Sequence, residues 1–305
     1  LRMANSAAVE NVTIEFSGTR LFLIDISLGA VSATPKSLLH RIDLQCASSP
    51  SRKPETPAAM TFVGAPLPIL ASLPIIGPPL GGKRWVALNG CCAPSPAHRG
   101  TGLPVNGAIW FAQRFAIDWM QLDEQGQFVR GDAADVHNYT SYGAQVLAVA
   151  DSTVVDMLNT LDDQKPGTLP DPKTITIENV DGNHIVLDLG NGVYALYAHM
   201  QKGSVAVAVG DRVKRGQVLG KLGNTGNTSA PHLHFHLMEG ASVLGSNGIP
   251  YEIDSFAFAG QVSEADFAAS TTIEGNWSKG LSSAVSPRHK EFPLNLNIVD
   301  LSVTK

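Results

Sequence analysis

Three histidines fall at alternate positions in one short segment: His232, His234 and His236, interleaved with Leu233, Phe235 and Leu237. Side chains alternate faces along a β-strand, so this spacing sets three imidazoles on one face and three apolar residues on the other. Same-face neighbours lie about 7 Å apart at roughly 3.3 Å rise per residue. Imidazole is the commonest metal ligand and the usual acid or base near neutral pH. One ring can therefore hold a metal while the next reaches a group bound to it. A solvated strand face would explain a single histidine. Three at alternate positions, of nine in the whole chain, point to a site.

Two further residues share that chemistry. Asp118 stands in a run of aromatic and apolar residues at 109–119, and His199 closes a strand-like run at 193–200. A carboxylate inside an apolar strand is costly unless it is paired or bound to a cation. A catalytic zinc takes three ligands from His, Asp or Glu and leaves a fourth position for water. Water held there ionises near neutral pH, and a neighbouring imidazole can carry its proton. His98 lies in a turn-rich loop shortly before the Asp118 run. His40 and His289 read as surface residues, and His137 and His184 as loop or surface histidines.

The elements that must position these residues read as β. Runs at 9–16, 21–28, 40–45, 144–150, 153–155, 174–178, 183–189 and 193–200 are β-branched or alternating, with turn signals between them. Asn191-Gly192 and Asp181-Gly182 are strong hairpin signals. The expected fold is mainly β: an antiparallel sheet or flattened barrel core preceded by a partial β-sandwich-like region. Residues 1–60 form that region, 61–99 a Pro-rich linker and lead-in, 100–258 the main β-domain, and 259–305 a peripheral segment. Within the last segment, 295–301 reads as a possible final strand.

Composition agrees with a β-rich globular protein: 305 residues, 44% hydrophobic, 16% charged, 29 Gly and 19 Pro. A net charge of -5 supplies no basic footprint for nucleic acid. The apolar run at 62–80 contains Pro66, Pro68, Pro74, Pro78 and Pro79, which excludes a spanning helix there. Three cysteines make no disulfide framework. A bridge between the adjacent Cys91 and Cys92 is strained, and Cys46 could pair with either. The N-terminus shows no secretory signal pattern.

Four ordered motifs carry a family resemblance: Tyr197-Ala-His-Met200, Val209-Gly-Asp-Arg-Val-Lys-Arg-Gly-Gln-Val-Leu-Gly220, Gly223-Asn-Thr-Gly226 and Pro231-His-Leu-His-Phe235. Together they resemble the lysostaphin/LytM-type zinc endopeptidases, which cut peptide cross-bridges or stems of peptidoglycan. The resemblance runs from about 114 to 237. It implies Asp118 and His234 as metal ligands, His199 and His232 as the catalytic pair, Zn2+ as cofactor and a peptidoglycan peptide or similar peptide as substrate. It also implies an extracytoplasmic location. The Gly210–Gln217 turn resembles biotinyl and lipoyl carrier domains as well, but the exposed hairpin with a modifiable Lys is missing.

One position departs from the family pattern. Four residues before Asp118, where the family has its first ligand His, stands Arg114. Guanidinium stays protonated and has no lone pair for zinc. Three outcomes are open: Arg114 pairs with Asp118 in an impaired homologue that binds cell-wall peptides or regulates a hydrolase; a substitute ligand completes the metal site; or Arg114 points away and metal binding is weak. The substitutes are His236, which shares a face with His234, and then His98.

Overall fold

The structure, a computed structural model, describes residues 35–45, 59–69, 72–92, 98–269 and 275–302. The strands expected at 9–16 and 21–28, and Cys46, lie outside the described residues. Of the N-terminal region, Arg41–Gln45 pairs with Ala59–Val63 and Ser37–Leu38 with Leu67–Pro68, each as a two-stranded antiparallel sheet.

A twelve-stranded sheet dominates the remainder. Its principal strands are β1 (Gly82–Leu88), β2 (Ile117–Gln121), β3 (Ser152–Leu158), β4 (Asn183–Gly190), β5 (Val193–Met200), β6 (Arg212–Val213), β7 (Leu233–Met238), β8 (Glu252–Gln261), β9 (Leu281–Glu291) and β10 (Asn297–Leu301). They run β6-β3-β4-β5-β7-β2-β1-β10-β8-β9. All these neighbours are antiparallel; Ile75–Ile76 adds a short parallel pairing to β8. A small separate sheet, Gln145–Leu147 with Val218–Lys221, supplies Val146 and Leu219 to the core on one face of the large sheet. Among the described residues, no helix is long and apolar enough to cross a membrane.

Local sequence explains most of these elements. Asn191 and Gly192 take φ of 55° and 75°, the doubly positive geometry that a two-residue hairpin between twisted strands requires. Along β7, Leu233, Phe235 and Leu237 enter the main core with Ile117 and Trp119 of β2 and Tyr197 of β5. Each of these six side chains is fully buried. That face anchors the strand, and period-two alternation turns the histidines to the other side.

Two expectations are corrected. Residues 174–178 form no strand but a 3-10 turn at Pro172–Thr174 followed by a tight turn. There the Asn179 side chain accepts from Thr176 N–H and donates to the Thr174 carbonyl, so local side-chain bonds replace a ladder. Ile177, 48% exposed, has no core to join. The segment 259–305 is not peripheral throughout: β10 lies inside the sheet between β1 and β8, with Ile298 and Val299 fully buried. Its partner β1 comes from the stretch assigned to the lead-in, since Val86 pairs with Ile298. Cys91 is bonded to Cys92.

Two irregularities interrupt the regular ladders beside the histidine-bearing face. Across β4 and β5, Asn183 faces Met200 and Ile185 faces Tyr197, so β5 carries one extra residue at Ala198–His199. Such a bulge re-aims a side chain, and His199 adopts a left-handed φ of 64°. The second is a contact between loops. Gly182 (φ +65°) and Gly226 (φ +81°) press together so closely that a Cβ on Gly182 would overlap the Thr225 carbonyl.

Chemical denaturation of two variants tests these packing assignments. Phe235→Ala removes a ring packed edge-on against Tyr197 and Tyr251 and should cost about 3–5 kcal/mol. Gly182→Ala, strained in φ and without space for its methyl, should cost about 2 kcal/mol or more.

Candidate metal centre and catalytic site

Asp118 is the hub of the site. It sits in β2 directly opposite His234 of β7 and beside Leu88 of β1. Its Oδ1 lies 2.9 Å from His234 Nδ1 and 3.3 Å from His232 Nε2. Its Oδ2 accepts from Asn89 Nδ2 at 2.7 Å and lies 3.3 Å from His98 Nε2. Burial alone would raise the Asp118 pKa. The charges of His98 and His232 and the bonds from His232 and His234 prevail and hold the carboxyl well below its ordinary range.

His98, only 7% exposed, folds back from its loop over this carboxylate. Its Nδ1 lies 3.3 Å from the Ala116 carbonyl, which leaves Nε2 directed at Asp118. The His98 ring also stands edge-on to His234, with centroids 4.8 Å apart. Burial pulls the His98 pKa down, but the Asp118 charge and hydrogen bond leave it raised overall.

His236 sits behind His234 rather than beside it. Its Nδ1 is 3.0 Å from His234 Nε2, a hydrogen bond between the two rings. His236 Nε2 is buried without a hydrogen-bond partner among the described residues. The His236 ring therefore meets the nitrogen of His234 remote from Asp118 and belongs to neither of the metal-compatible groups. Burial, reinforced by the neighbouring His234 and His98 charges, keeps it neutral at ordinary pH.

His199 and His232 face each other with ring centroids 4.7 Å apart. The β5 bulge and the left-handed backbone bring His199 round to this face, and three bonds fix it there. Its Nδ1 lies 2.8 Å from the Thr225 carbonyl, its N–H donates to the Asp181 carbonyl, and its own carbonyl accepts from Gly223 N–H. The Gly182–Gly226 approach is what lets the Thr225 carbonyl reach it. Burial and the positive charges of His232 and His234 push the His199 pKa well below its usual value. His232 Nδ1 lies 2.8 Å from the Ala230 carbonyl, and the Asp118 charge outweighs burial to raise its pKa.

Arg114 does not pair with Asp118. Its guanidinium stacks over the Phe115 ring, 5.5 Å from the centroid, while the Asp118 carboxylate is met by Asn89 and imidazoles. Of the remaining histidines, His184 is corrected from surface to buried, at 5% exposure in β4. His137 is exposed and paired with Asp135. Tyr139 and Tyr142 bond to the Ala133 carbonyl and the Asp163 carboxylate.

The ring nitrogens and carboxylate define two groups that could hold a metal, each with its donor atoms within 4.8 Å of one another: His98, Asp118 and His234, and His199, His232 and His234. Both groups line one cavity of about 320 Å³, together with Asn89, Asp181 and Leu169. Sequence reasoning gave Asn89 and Asp181 no role. Asn89 carries no signal beyond following a strand, and Asp181 reads only as half of an Asp-Gly turn.

The model of "Peptidase family M23" matches residues 134–246. That span holds His199, His232, His234 and His236 but begins after His98 and Asp118. The chain is 42% identical over 57 residues to the peptidoglycan DD-endopeptidase ShyA of Vibrio cholerae, covering 19% of this chain and 13% of that protein. It is 50% identical over 58 residues to the glycyl-glycine endopeptidase ALE-1 of Staphylococcus capitis, covering 19% and 16%. The matched stretches thus span under a fifth of either relative. The catalytic domain of lysostaphin from Staphylococcus simulans aligns at 24% identity over 49% of this chain and 86% of that domain, with a TM-score of 0.29. The sequence matches, not that superposition, carry the likeness: residues 134–246 match the peptidase family M23 model, and the relatives matched in sequence are a peptidoglycan DD-endopeptidase and a glycyl-glycine endopeptidase.

Proposed function

We propose that this chain is a zinc-dependent endopeptidase acting on peptidoglycan cross-links or stems, with His98, Asp118 and His234 as metal ligands and His199 and His232 as the catalytic pair. The observation that carries this reading is the convergence of His98, Asp118 and His234 donor atoms within 4.8 Å, on the cavity that His199 and His232 also line. Tetrahedral zinc at ligand distances of roughly 2.0–2.1 Å holds its donors about 3.4 Å apart. His98 Nε2 lies 3.3 Å from Asp118 Oδ2 and His234 Nδ1 lies 2.9 Å from Asp118 Oδ1, each near that spacing to one oxygen of the carboxylate. Each ligand is also held from behind: His98 by the Ala116 carbonyl, His234 by His236 and Asp118 by Asn89. Such outer partners fix ring orientation and ligand basicity.

The group with Asp118 is favoured over the all-histidine group because it includes an anionic donor and leaves His199 and His232 free. Zinc, when bound, polarises a carbonyl and lowers the pKa of its water to near ~7. With Nδ1 donating to Thr225, neutral His199 presents Nε2 as a proton acceptor. His232, whose Nδ1 lies 2.8 Å from the Ala230 carbonyl, turns Nε2 toward the same cavity and, when protonated, would offer an Nε2–H to oxygen that gains negative charge. Peptidoglycan lies outside the cytoplasm, so the place of action is the cell envelope or beyond.

Zymography on bacterial cell walls tests the activity. Clearing is expected, is abolished by chelator and restored by zinc, and disappears in His234→Ala. No clearing by the zinc-loaded chain would favour a peptide-binding homologue. Metal analysis separates the two substitute ligands. His98→Ala should lose stoichiometric zinc, whereas His236→Ala should retain it with affinity reduced about 10–100-fold. Stoichiometric zinc in His98→Ala, or none in His236→Ala, would reverse these roles. Arg114→Ala should leave zinc content unchanged.

A further inference from the structure

Asp181 is a buried carboxylate with no part in the proposed peptidase chemistry. It is 4% exposed and contributes to the wall of the cavity that His98, Asp118, His199, His232 and His234 share. Its Oδ2 is buried and accepts no hydrogen bond from the described residues. Asp118, on the wall of the same cavity, shows the contrast, since donors surround both of its oxygens. Among the described residues, the charged group acting on Asp181 is His184, whose Nδ1 is already engaged by the Gly182 carbonyl. The other nitrogen of His184 lies 3.6 Å from Asp156.

The backbone holds this carboxylate where it is. The Asp181 carbonyl accepts the His199 N–H at 2.9 Å, and Gly182 is locked against Thr225 and Gly226. The loop cannot withdraw Asp181 to solvent without disturbing His199. Burial pushes the carboxyl pKa up to about 6, against the pull of His184. Asp181 therefore brings to the cavity wall a carboxylate with an unused acceptor. A buried charge without a partner is costly, and a cation supplied by a ligand removes that cost. The same wall carries the aliphatic side chain of Leu169, 65% exposed, suited to the stem of an amine-bearing residue.

We infer that Asp181 is a specificity-determining residue that accepts an ammonium group of the substrate peptide, so that peptides with a free amine near the cleaved bond are preferred. This rests on the peptidase reading for the identity of the ligand as a peptide. A charge-assisted bond of this kind, made inside a cavity, is worth about tenfold or more in affinity.

The test uses the full chain, zinc-loaded, and a synthetic lysine-containing cell-wall peptide in four forms: both amines free, the α-amine acetylated, the side-chain amine acetylated, or both acetylated. Binding is measured by calorimetry. The parent should bind at least one amine-bearing form about tenfold more tightly than the doubly acetylated form. The two singly acetylated forms tell which amine is taken. Asp181→Asn should bind the four forms equally, and Asp181→Glu should recover part of the preference. Asp181→Asn keeps the side-chain shape, and its melting temperature at pH 8 should stay within a few degrees of the parent, which shows that altered binding is not unfolding. Equal binding of all forms by the parent, or a preference that survives in Asp181→Asn, would overturn the assignment. Cleavage is scored separately. A parent that discriminates but never clears cell walls refutes the peptidase reading and leaves the amine subsite standing. A parent that clears without discriminating refutes the subsite alone.

Discussion

The centre of this molecule is a carboxylate that cannot be left alone. Asp118 is buried in the middle of a β-sheet, where an unpaired charge would cost several kcal/mol. Four donors from three separate parts of the chain meet it: Asn89 just after β1, His98 from a loop, and His232 and His234 at the start of β7. Those contacts require β1, β2 and β7 to be neighbours in a fixed register, which the cross-strand pairs Leu88–Asp118 and Asp118–His234 provide. A slip of one residue would turn Asp118 into the apolar layer of Trp119 and Phe235. The same ring of donors is the arrangement that a metal would replace.

A second layer of order serves His199. Strict alternation along β5 would direct this side chain away from the face that Ala198 shares with His234. The extra residue in β5 and the left-handed backbone correct its aim, at a strain cost of about 1–3 kcal/mol. The loop at 223–228 then fixes the ring through the Thr225 carbonyl, and Gly182 makes room for that loop. Backbone strain, a glycine contact and a side-chain hydrogen bond thus act on one imidazole.

The two histidines considered in place of the family's first ligand His differ in position. His236 shares a strand face with His234, as alternation requires. Adjacent same-face rings, however, here meet through the nitrogen remote from Asp118, so His236 supports His234 from behind. His98, well before Asp118 in the chain, approaches from the open side with its Nε2 toward the carboxylate. Arg114 is drawn to the Phe115 ring and leaves the carboxylate free of a fixed cation.

Much of this was legible in the sequence. The alternation of histidines with Leu233, Phe235 and Leu237 determined one chemical and one apolar face, because strand periodicity is local. The Asn191-Gly192 turn determined the β4–β5 hairpin for the same reason. Asp118 announced itself as a carboxylate in an apolar run, and His199, His232 and His234 by motif. Long-range proximity was not legible. Only the tertiary structure brought His98 and Asn89 to Asp118, set His236 behind His234, sent β10 into the sheet between β1 and β8, and left Asp181 in the cavity without a donor. These outcomes depend on loop paths and strand order, which are selected by the packing of side chains distant in sequence and leave no local periodic trace.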